Sequence, residues 1–421
     1  MLRSLTLEHV GPASHLSLEL GSRINVLAGD NGLGKTFLLD VAWWALTRTW
    51  ARELVMPHGP PTTPSIAYEY IAKTRANHRH TSRFDRGEEK WPLEKGRPPI
   101  PGLVLYAQVD GGFSVWDPAR NYWKGSDPER PAAYLFSSRE VWNGLPFDAP
   151  VKVCNGLISD WASWLLEHGE AFAQLERVLT ALSPSAREPL SPGALAKVSL
   201  NDARKHPTLA MPYGRDVPLI HASAGVRRIV ALAYMLVWSW QEHAEACTLR
   251  GEEPVHDIIF LVDEIEAHLH PKWQRRIVPA LLTVMDALTG THDVSVQLVA
   301  ATHSPLVLAS VEPLFDEEQD VVHHLGLNAE GDVYLEHLPW SKQGDVVNWL
   351  VSETFGLAQG RSLEAERAIE AAEALMRGEA TLTPGLDTRE GIDAELRRVL
   401  AGHDAFWPRW VVWVEREEAQ P

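Results

Sequence analysis

Residues 29–36 read GDNGLGKT, with three glycines, a lysine and a threonine directly after the apolar run INVLA. The spacing fits G-x-x-x-x-G-K-[ST], in which glycines let backbone N–H groups approach and wrap the phosphates of a nucleotide. In such a loop Lys35 reaches the β- and γ-phosphates, and the Thr36 hydroxyl binds Mg²⁺. The alternative interpretation is a flexible glycine-rich turn. The candidate phosphate-binding residues are Gly29, Asn31, Gly32, Gly34, Lys35 and Thr36.

The flanking segments favour the phosphate loop. Residues 23–28 read as a strand, and residues 36–46 (TFLLDVAWWAL) read as a helix. This order would point a helix N-terminus at the phosphates, which is a favourable place for an anion. The pattern should arise by chance in roughly one such chain in a hundred, given average composition.

A second acidic element lies far along the chain, in residues 258–264, IIFLVDE. Its apolar run indicates a buried parallel strand, and Asp263 emerges at the carboxyl end, where open α/β sheets place ligands. A carboxylate there can hold Mg²⁺, and the adjacent Glu264 is well placed to act as general base on an attacking water. The alternative is a strand that meets solvent at two acidic residues.

Two further junctions place polar groups at the ends of regular elements. Ser223 and Gly225, within HASAG, precede a helix-like run and offer a hydroxyl and free N–H groups to an anion. His303, within THSP, follows the apolar run QLVAA and lies at the carboxyl edge of a predicted strand. Taken alone, an ordinary helix cap and an ordinary strand–turn–helix junction explain these two features.

The order of these elements resembles an ABC-type ATPase head: phosphate loop, long insertion, Ser-x-Gly signature, Asp-Glu strand, then a strand ending in histidine. The stretch FLVDEIEAHLHPKWQRRIVPALL, with ATHSPLVLAS after it, is especially similar to the OLD-like ATPases, close to the Septu-type defence ATPases. These are relatives of the chromosome-maintenance and recombination-repair ATPases. The resemblance covers residues 1–50 and 205–310.

The resemblance implies an α/β P-loop NTPase fold, with an inserted α+β or helical region and a helical C-terminal segment. It also implies ATP and Mg²⁺ as ligands, held by the phosphate loop together with Asp263. Glu264 would act as the catalytic base, with Lys35 at the phosphates and His303 at the γ-phosphate.

The resemblance further implies a homodimer or higher oligomer in which two heads share two ATP molecules. Ser223 and Gly225 of one subunit would cap the nucleotide of the other, and residues 265–270 would lie at the seam. ATP would then hold the dimer together, and hydrolysis would loosen it. The signature here is Ser-Ala-Gly rather than Ser-Gly-Gly, and Gln108 is a candidate for the glutamine loop by position only.

Lys35 and Asp263 are 228 positions apart (263 − 35), too far for one compact crossover, so the sequence predicts an insertion. It contains a predicted hairpin at 103–116 and a predicted amphipathic helix at 159–182. The predicted organisation is an N-terminal lobe of the head at 1–70, an insertion at 71–204, a C-terminal lobe at 205–345 and a helical segment at 346–421.

Charge and composition limit the possible partners. The chain of 421 residues carries a net charge of −17, yet residues 73–97 hold eight Lys/Arg against four acids, a local net charge of +4. This stretch is the best candidate for contact with DNA, with a solvated loop as the alternative. Two cysteines, no signal-like N-terminus and no apolar run of membrane-spanning length predict a cytoplasmic protein without a membrane partner.

The predicted function is therefore an ATP-hydrolysing head that dimerises, senses DNA or a phage signal, and controls a separate, nuclease-like effector in anti-phage defence. The alternatives are a nucleotide-gated scaffold with little turnover, a DNA-repair ATPase, and a transporter head. The aromatic tail HDAFWPRWVVWVE would dock onto its own core or onto a partner.

Overall fold

A computed structural model describes residues 1–57, 63–72, 74–96, 98–121, 131–148, 151–289, 294–379 and 385–418. The chain divides into two compact units, Met1–Gly344 and Asp345–Pro421. The described strands are β1 (Leu2–Glu8), β2 (His15–Glu19), β3 (Ile24–Gly29), β4 (Ser65–Ile71), β5 (Asn77–Arg83), β6 (Leu103–Ala107), β7 (Phe113–Trp116), β8 (Tyr134–Phe136), β9 (Leu145–Asp148), β10 (Val151–Cys154), β11 (Ser191–Pro192), β12 (Thr208–Met211), β13 (Arg215–Pro218), β14 (Asp257–Val262), β15 (Ser295–Ala301), β16 (Val321–Leu327) and β17 (Val333–His337).

The described helices lie before, within and after residues 71–204, the predicted insertion. The described helices are α1 (Lys35–Thr47), α2 (Ser138–Asn143), α3 (Leu157–Glu167), α4 (Glu170–Ala181), α5 (Ala224–Arg250), α6 (Pro271–Gln274), α7 (Ile277–Thr289), α8 (Pro305–Val311), α9 (Val346–Leu350), α10 (Leu363–Met376), α11 (Arg389–Val399) and α12 (Trp407–Glu418).

The first unit is built on an eight-stranded sheet with the order β17-β16-β3-β15-β14-β6-β7-β8. The strands from β16 to β6 in this order pair in parallel, whereas β17, β7 and β8 pair antiparallel. Every residue of β3 and β14 is buried, as the apolar runs INVLA and IIFLV predict. Because parallel strands end at the same edge, the segments after β3, β6, β14 and β15 meet there.

The predicted insertion is not separate from this sheet. Within residues 71–204, β6 pairs in parallel with β14, and β7 and β8 extend the sheet beyond it. The hairpin predicted at 103–116 is confirmed as β6 and β7. The prediction of a single helix at 159–182 is wrong, because the helix is interrupted between α3 and α4. The interruption falls at His168, which has a positive φ of 52°, and Gly169.

A second, four-stranded antiparallel sheet has the order β2-β1-β4-β5. Helix α1 contacts strands of both sheets and contributes side chains to one shared apolar core, so it is buried along most of its length. Trp44 of α1 stacks on Trp50 with ring centroids 5.3 Å apart. The abundant tryptophans thus serve in part as core anchors, as their large apolar area predicts.

A buried glutamine joins the two sheets. Gln297, on β15, accepts a hydrogen bond from the backbone N–H of Leu2 at 2.7 Å and donates to the carbonyls of Leu2 and Gly21, each at 2.7 Å. Its side chain has no exposed surface. One amide therefore satisfies three backbone groups that water cannot reach.

The second unit is helical. Helices α10, α11 and α12 pack around a core that includes Ile369, Ile392 and Trp410. Trp410 is 1% exposed, and its indole N–H donates to Asp393 at 2.9 Å. The aromatic tail thus packs on helices of its own unit, and Ser362 caps α10.

We expect Gln297→Leu to lower the free energy of unfolding by about 2–4 kcal/mol, because three buried backbone groups lose their partner. Chemical denaturation of the variant and the parent protein measures the difference. Gln319→Ala, at an exposed position, serves as control and should change the value by about 0.5 kcal/mol or less. A loss below 1 kcal/mol for Gln297→Leu would contradict the role of this side chain as the link between the sheets.

Candidate nucleotide-binding site

The loop between β3 and α1 has a conformation that only glycine accommodates at two places. Gly29 has a φ of 136°, and a Cβ there would lie 2.2 Å from the carbonyl oxygen of Leu325 on β16. Gly34 has a φ of 104°, and a Cβ there would lie 2.8 Å from Pro12. Asn31 and Gly32, between them, are exposed to solvent. The loop is therefore a tightly packed turn with an open tip.

The N-terminus of α1 is available to an anion. Gly34 is its N-cap, and within this fully described segment no side chain caps the helix and no acidic residue lies in its first turn. Lys35 is buried, and its Nζ donates to the carbonyls of Gly29 and Asp30, each at 2.7 Å. Burial lowers the pKa of Lys35. Helix dipole, free N–H groups and this ammonium together suit a phosphate chain.

Thr36 and Asp263 meet across the edge of the sheet. The Thr36 hydroxyl lies 2.9 Å from each carboxylate oxygen of Asp263, which is only 1% exposed. Burial raises the pKa of Asp263, although the Thr36 hydroxyl opposes the shift. A hydroxyl and a carboxylate are the hard oxygen donors that Mg²⁺ prefers, so these two residues fit the predicted metal.

Glu264 follows Asp263 with a positive φ of 44°, which is uncommon for a residue other than glycine. The guanidinium of Arg228, on α5, donates to the backbone carbonyls of Asp263 at 3.0 Å and Glu264 at 3.2 Å. It also donates to Val109 after β6, at 2.7 Å. Arg228 thus fixes the turn that carries Glu264.

His303 lies directly after β15, and its ring is held by a residue that sequence reasoning missed. Glu266 is buried and accepts hydrogen bonds from the Thr302 hydroxyl at 2.6 Å and the His303 backbone N–H at 2.7 Å. The same carboxylate lies 3.1 Å from Nδ1 of His303, whose side chain is 40% exposed. The sequence EIE at 264–266 did offer a signal for Glu266. This glutamate follows Glu264 by two residues, so it lies at the same edge of the sheet.

Gln108 lies directly after β6, whose end pairs with the end of β14. It is buried, and its Nε2 donates to Ser114 at 2.9 Å. Beside it is a cavity of about 270 Å³ between the loop after β6, the start of α5 and the segment after Glu264. Its lining includes Gln108, Asp110, Arg227, Arg228 and His268.

Ser223 and Gly225 occupy the start of α5. Ser223 is exposed, is the N-cap of α5 and accepts the Val226 N–H at 3.4 Å. Gly225 is buried against the segment after Glu264, because a Cβ there would lie 2.5 Å from the carbonyl of His268. The fold therefore brings the phosphate loop, Asp263, Glu264 and His303 to one edge of the sheet, with Gly225 packed against the adjoining segment and Ser223 exposed.

A second residue that sequence reasoning missed is Arg52, in the segment after α1. Its Nη2 lies 3.3 Å from Oδ2 of Asp263, and its Nε lies 3.8 Å from Oδ1 of Asp40. Asp40 also accepts the Tyr106 hydroxyl at 3.0 Å. Nothing in the sequence around Arg52 resembles a motif, so only the fold could bring this cation to the site.

The basic stretch predicted to contact DNA falls largely on β5 and the turn after it. Lys73 and Arg97, its two ends, lie outside the described residues. Arg79 and Arg83 are exposed on alternating positions of β5, an edge strand of the second sheet. Arg79 pairs with Glu69 on β4.

Together, the parallel sheet, the glycine loop at a helix N-terminus and the Asp-Glu strand define a P-loop ATPase fold. A family described as "AAA domain, putative AbiEii toxin, Type IV TA system" matches residues 24–309, more than half of the chain. This protein belongs to that family.

Curated relatives confirm the resemblance to Septu-type ATPases. The chain is 21% identical over 378 residues to Septu protein PtuA of Bacillus thuringiensis, covering 86% of each. It is 37% identical over 348 residues to Septu protein PtuA of Bacillus mycoides, covering 79% of this chain and 40% of that one. Among solved structures, it is 13% identical to the SMC head domain from Thermotoga maritima, with a TM-score of 0.39, covering 80% of this chain and 99% of that one.

In the part of the chain that the structure describes, no helix combines the length and apolar character needed to cross a bilayer.

The raised pKa of Asp263 predicts that Asp263→Asn stabilises the protein near neutral pH. Because the pKa of Asp263 in the folded state lies above the ordinary 3.8, ionising this side chain destabilises the folded protein. The loss of stability develops as the pH rises from the unfolded-state pKa to the folded-state pKa. We therefore expect the thermal midpoint of Asp263→Asn to exceed that of the parent by about 1–3 °C at pH 7.5.

The gain should disappear below about pH 4, where the unfolded-state aspartate is itself protonated. Differential scanning calorimetry across this range measures it, with exposed Glu317→Gln as control. A lower midpoint for Asp263→Asn at pH 7.5 would show that its contacts with Thr36 and Arg52 outweigh its burial.

Proposed function

We propose that this protein binds Mg²⁺ and ATP at the edge of the central sheet and hydrolyses the β–γ phosphate bond. The observation that carries the proposal is the convergence of Lys35, Thr36 and Asp263, which come from two distant segments of the chain. Their donors are those that a metal-bound triphosphate requires.

The roles follow from the positions of the side chains. Lys35 exchanges its two backbone carbonyl partners for phosphate oxygens, and the N–H groups at the start of α1 bind the same chain of phosphates. Glu264 accepts a proton from the attacking water as it approaches the γ-phosphorus. His303, oriented by Glu266, donates to a γ-phosphate oxygen. Thr36 and Asp263 would hold the metal, which when bound would supply positive charge to the phosphates.

We further propose that two copies of the chain close over two ATP molecules. Ser223 is exposed at the start of a long helix, where its hydroxyl and the neighbouring N–H groups can face the nucleotide of a second copy. The γ-phosphate would then be contacted from both subunits. ATP therefore favours the dimer, and its hydrolysis weakens it.

The biological role that fits the Septu relatives is anti-phage defence in the cytoplasm. In this proposal the dimer senses DNA or another phage signal and controls a separate, nuclease-like effector. A scaffold that binds ATP with little turnover and a DNA-repair ATPase are the alternatives. Co-expression with the neighbouring gene product, followed by assay of nuclease activity with and without ATP, tests the effector.

Two substitutions separate binding from hydrolysis. Lys35→Ala should weaken ATP binding by about tenfold or more, since it removes the cation that meets the phosphates. Glu264→Gln should keep ATP binding but lower turnover by about 10²- to 10⁴-fold, as expected when a general base is lost. Isothermal titration and phosphate release measure the two quantities, with exposed Lys272→Ala as control.

Unchanged affinity and turnover in Lys35→Ala would refute the site. Negligible turnover in the parent and in Glu264→Gln alike would instead favour the scaffold. For the dimer, Glu264→Gln with ATP should double in mass by light scattering. Adding Ser223→Arg should restore the monomer, and an ATP-dependent dimer that survives this change would contradict the capping role.

Contact with DNA is tested at two exposed arginines, Arg83 on β5 and Arg86 in the turn after it. Arg83→Glu combined with Arg86→Glu should weaken binding to a 30-base-pair duplex (about three turns) by about tenfold or more, because each change replaces a phosphate contact with repulsion. Fluorescence anisotropy at several salt concentrations measures it. Arg397→Glu, on α11, is the control. Equal DNA affinity of the Arg83→Glu/Arg86→Glu variant and of the control would contradict a DNA contact at these arginines.

A further inference from the structure

Arg52 is positioned where a divalent cation would deliver its charge. Asp263 is almost completely buried, and a carboxylate in such surroundings needs a positive partner. In this structure the partner is the Arg52 guanidinium, with Nη2 3.3 Å from Oδ2 of Asp263. A metal ion bound by Asp263 would satisfy the same need, so the two cations compete for one carboxylate.

Arg52 also has a second acceptor within reach. Asp40 lies on α1, one helical turn after Thr36, and its Oδ1 is 3.8 Å from Nε of Arg52. Burial raises the pKa of Asp40 to about 6, and Arg52 opposes this shift. The Tyr106 hydroxyl holds Asp40 in place from β6, at 3.0 Å. The Arg52 side chain is 29% exposed, which leaves it room to change partners.

We propose that Arg52 is a positioning residue that competes with the divalent cation for Asp263 and transfers its ion pair to Asp40 when the cation binds. The proposal rests on the nucleotide site proposed above. The metal affinity of the site then depends on whether Arg52 pairs with Asp263 or with Asp40. Metal then binds tightly only when the phosphates of ATP add their own oxygens.

Mn²⁺ is the probe, because its electron paramagnetic resonance signal reports the free ion directly. Titration of the full chain with Mn²⁺ in the presence of a non-hydrolysable ATP analogue gives an apparent dissociation constant for the metal. Arg52→Gln should bind Mn²⁺ about five- to tenfold more tightly than the parent, since it removes a competing charge. Arg52→Lys, which retains the charge, should remain within about twofold of the parent.

Arg75→Gln is a matched control. Arg75 lies 3.4 Å from Asp257 at the opposite end of β14. The Arg75→Gln variant therefore loses the same charge and the same kind of ion pair as Arg52→Gln, but away from the site. Its Mn²⁺ affinity should equal that of the parent. Equal tightening in Arg75→Gln and Arg52→Gln would overturn the proposal, because a general change in net charge would then explain both.

Asp40→Asn tests the second partner. Without the Asp40 carboxylate, Arg52 stays with Asp263, so Mn²⁺ should bind about three- to fivefold more weakly. In the Arg52→Gln background the same change should have no effect, and this non-additivity is a readout that a merely structural role would not give.

Unchanged or weaker Mn²⁺ binding by Arg52→Gln overturns the competition, as does an additive effect of Asp40→Asn. These outcomes leave the proposed ATPase intact as long as the parent binds the analogue. A parent protein that binds neither analogue nor Mn²⁺ overturns both this proposal and the proposed function.

Discussion

The site depends on one buried carboxylate. Asp263 lies at the end of a strand buried on both faces, and its ionised form is costly there unless positive charge or hydrogen-bond donors surround it. Thr36 supplies a donor from the start of α1, and Arg52 supplies charge from the segment after that helix. The start of α1 and the segment that follows this helix therefore converge on a residue more than 200 positions away, which fixes α1 against the central sheet.

The rest of the first unit can be understood as the support for this arrangement. The parallel pairing of β3, β15, β14 and β6 places four chain turns at one edge, and each turn carries at least one candidate site residue. The buried amide of Gln297 ties that sheet to the antiparallel sheet on the other side of α1. Polar groups that would destabilise an ordinary core thus act here as fixed links, because nearly all of their hydrogen bonds are satisfied.

Local signals in the sequence predicted the phosphate loop, the strand before Asp263 and the helix capped by Ser223, because each combines a buried apolar run with a special residue at its end. They did not predict Arg52 or Glu266, whose roles arise from contacts between turns. They also did not predict that part of residues 71–204 joins the central sheet. Strand β6 pairs with β14 across more than 150 residues of chain, and no local pattern specifies that pairing.

The contact at Gly225 has a consequence for how two sites would work together. With only a hydrogen atom between the start of α5 and the carbonyl of His268, these two segments cannot slide independently. Arg228 fastens the same helix to the turn at Glu264. In a closed pair of heads, the element that touches the neighbour's ATP would be rigidly joined to the subunit's own hydrolytic turn, so the two turnovers would proceed in concert rather than as separate events.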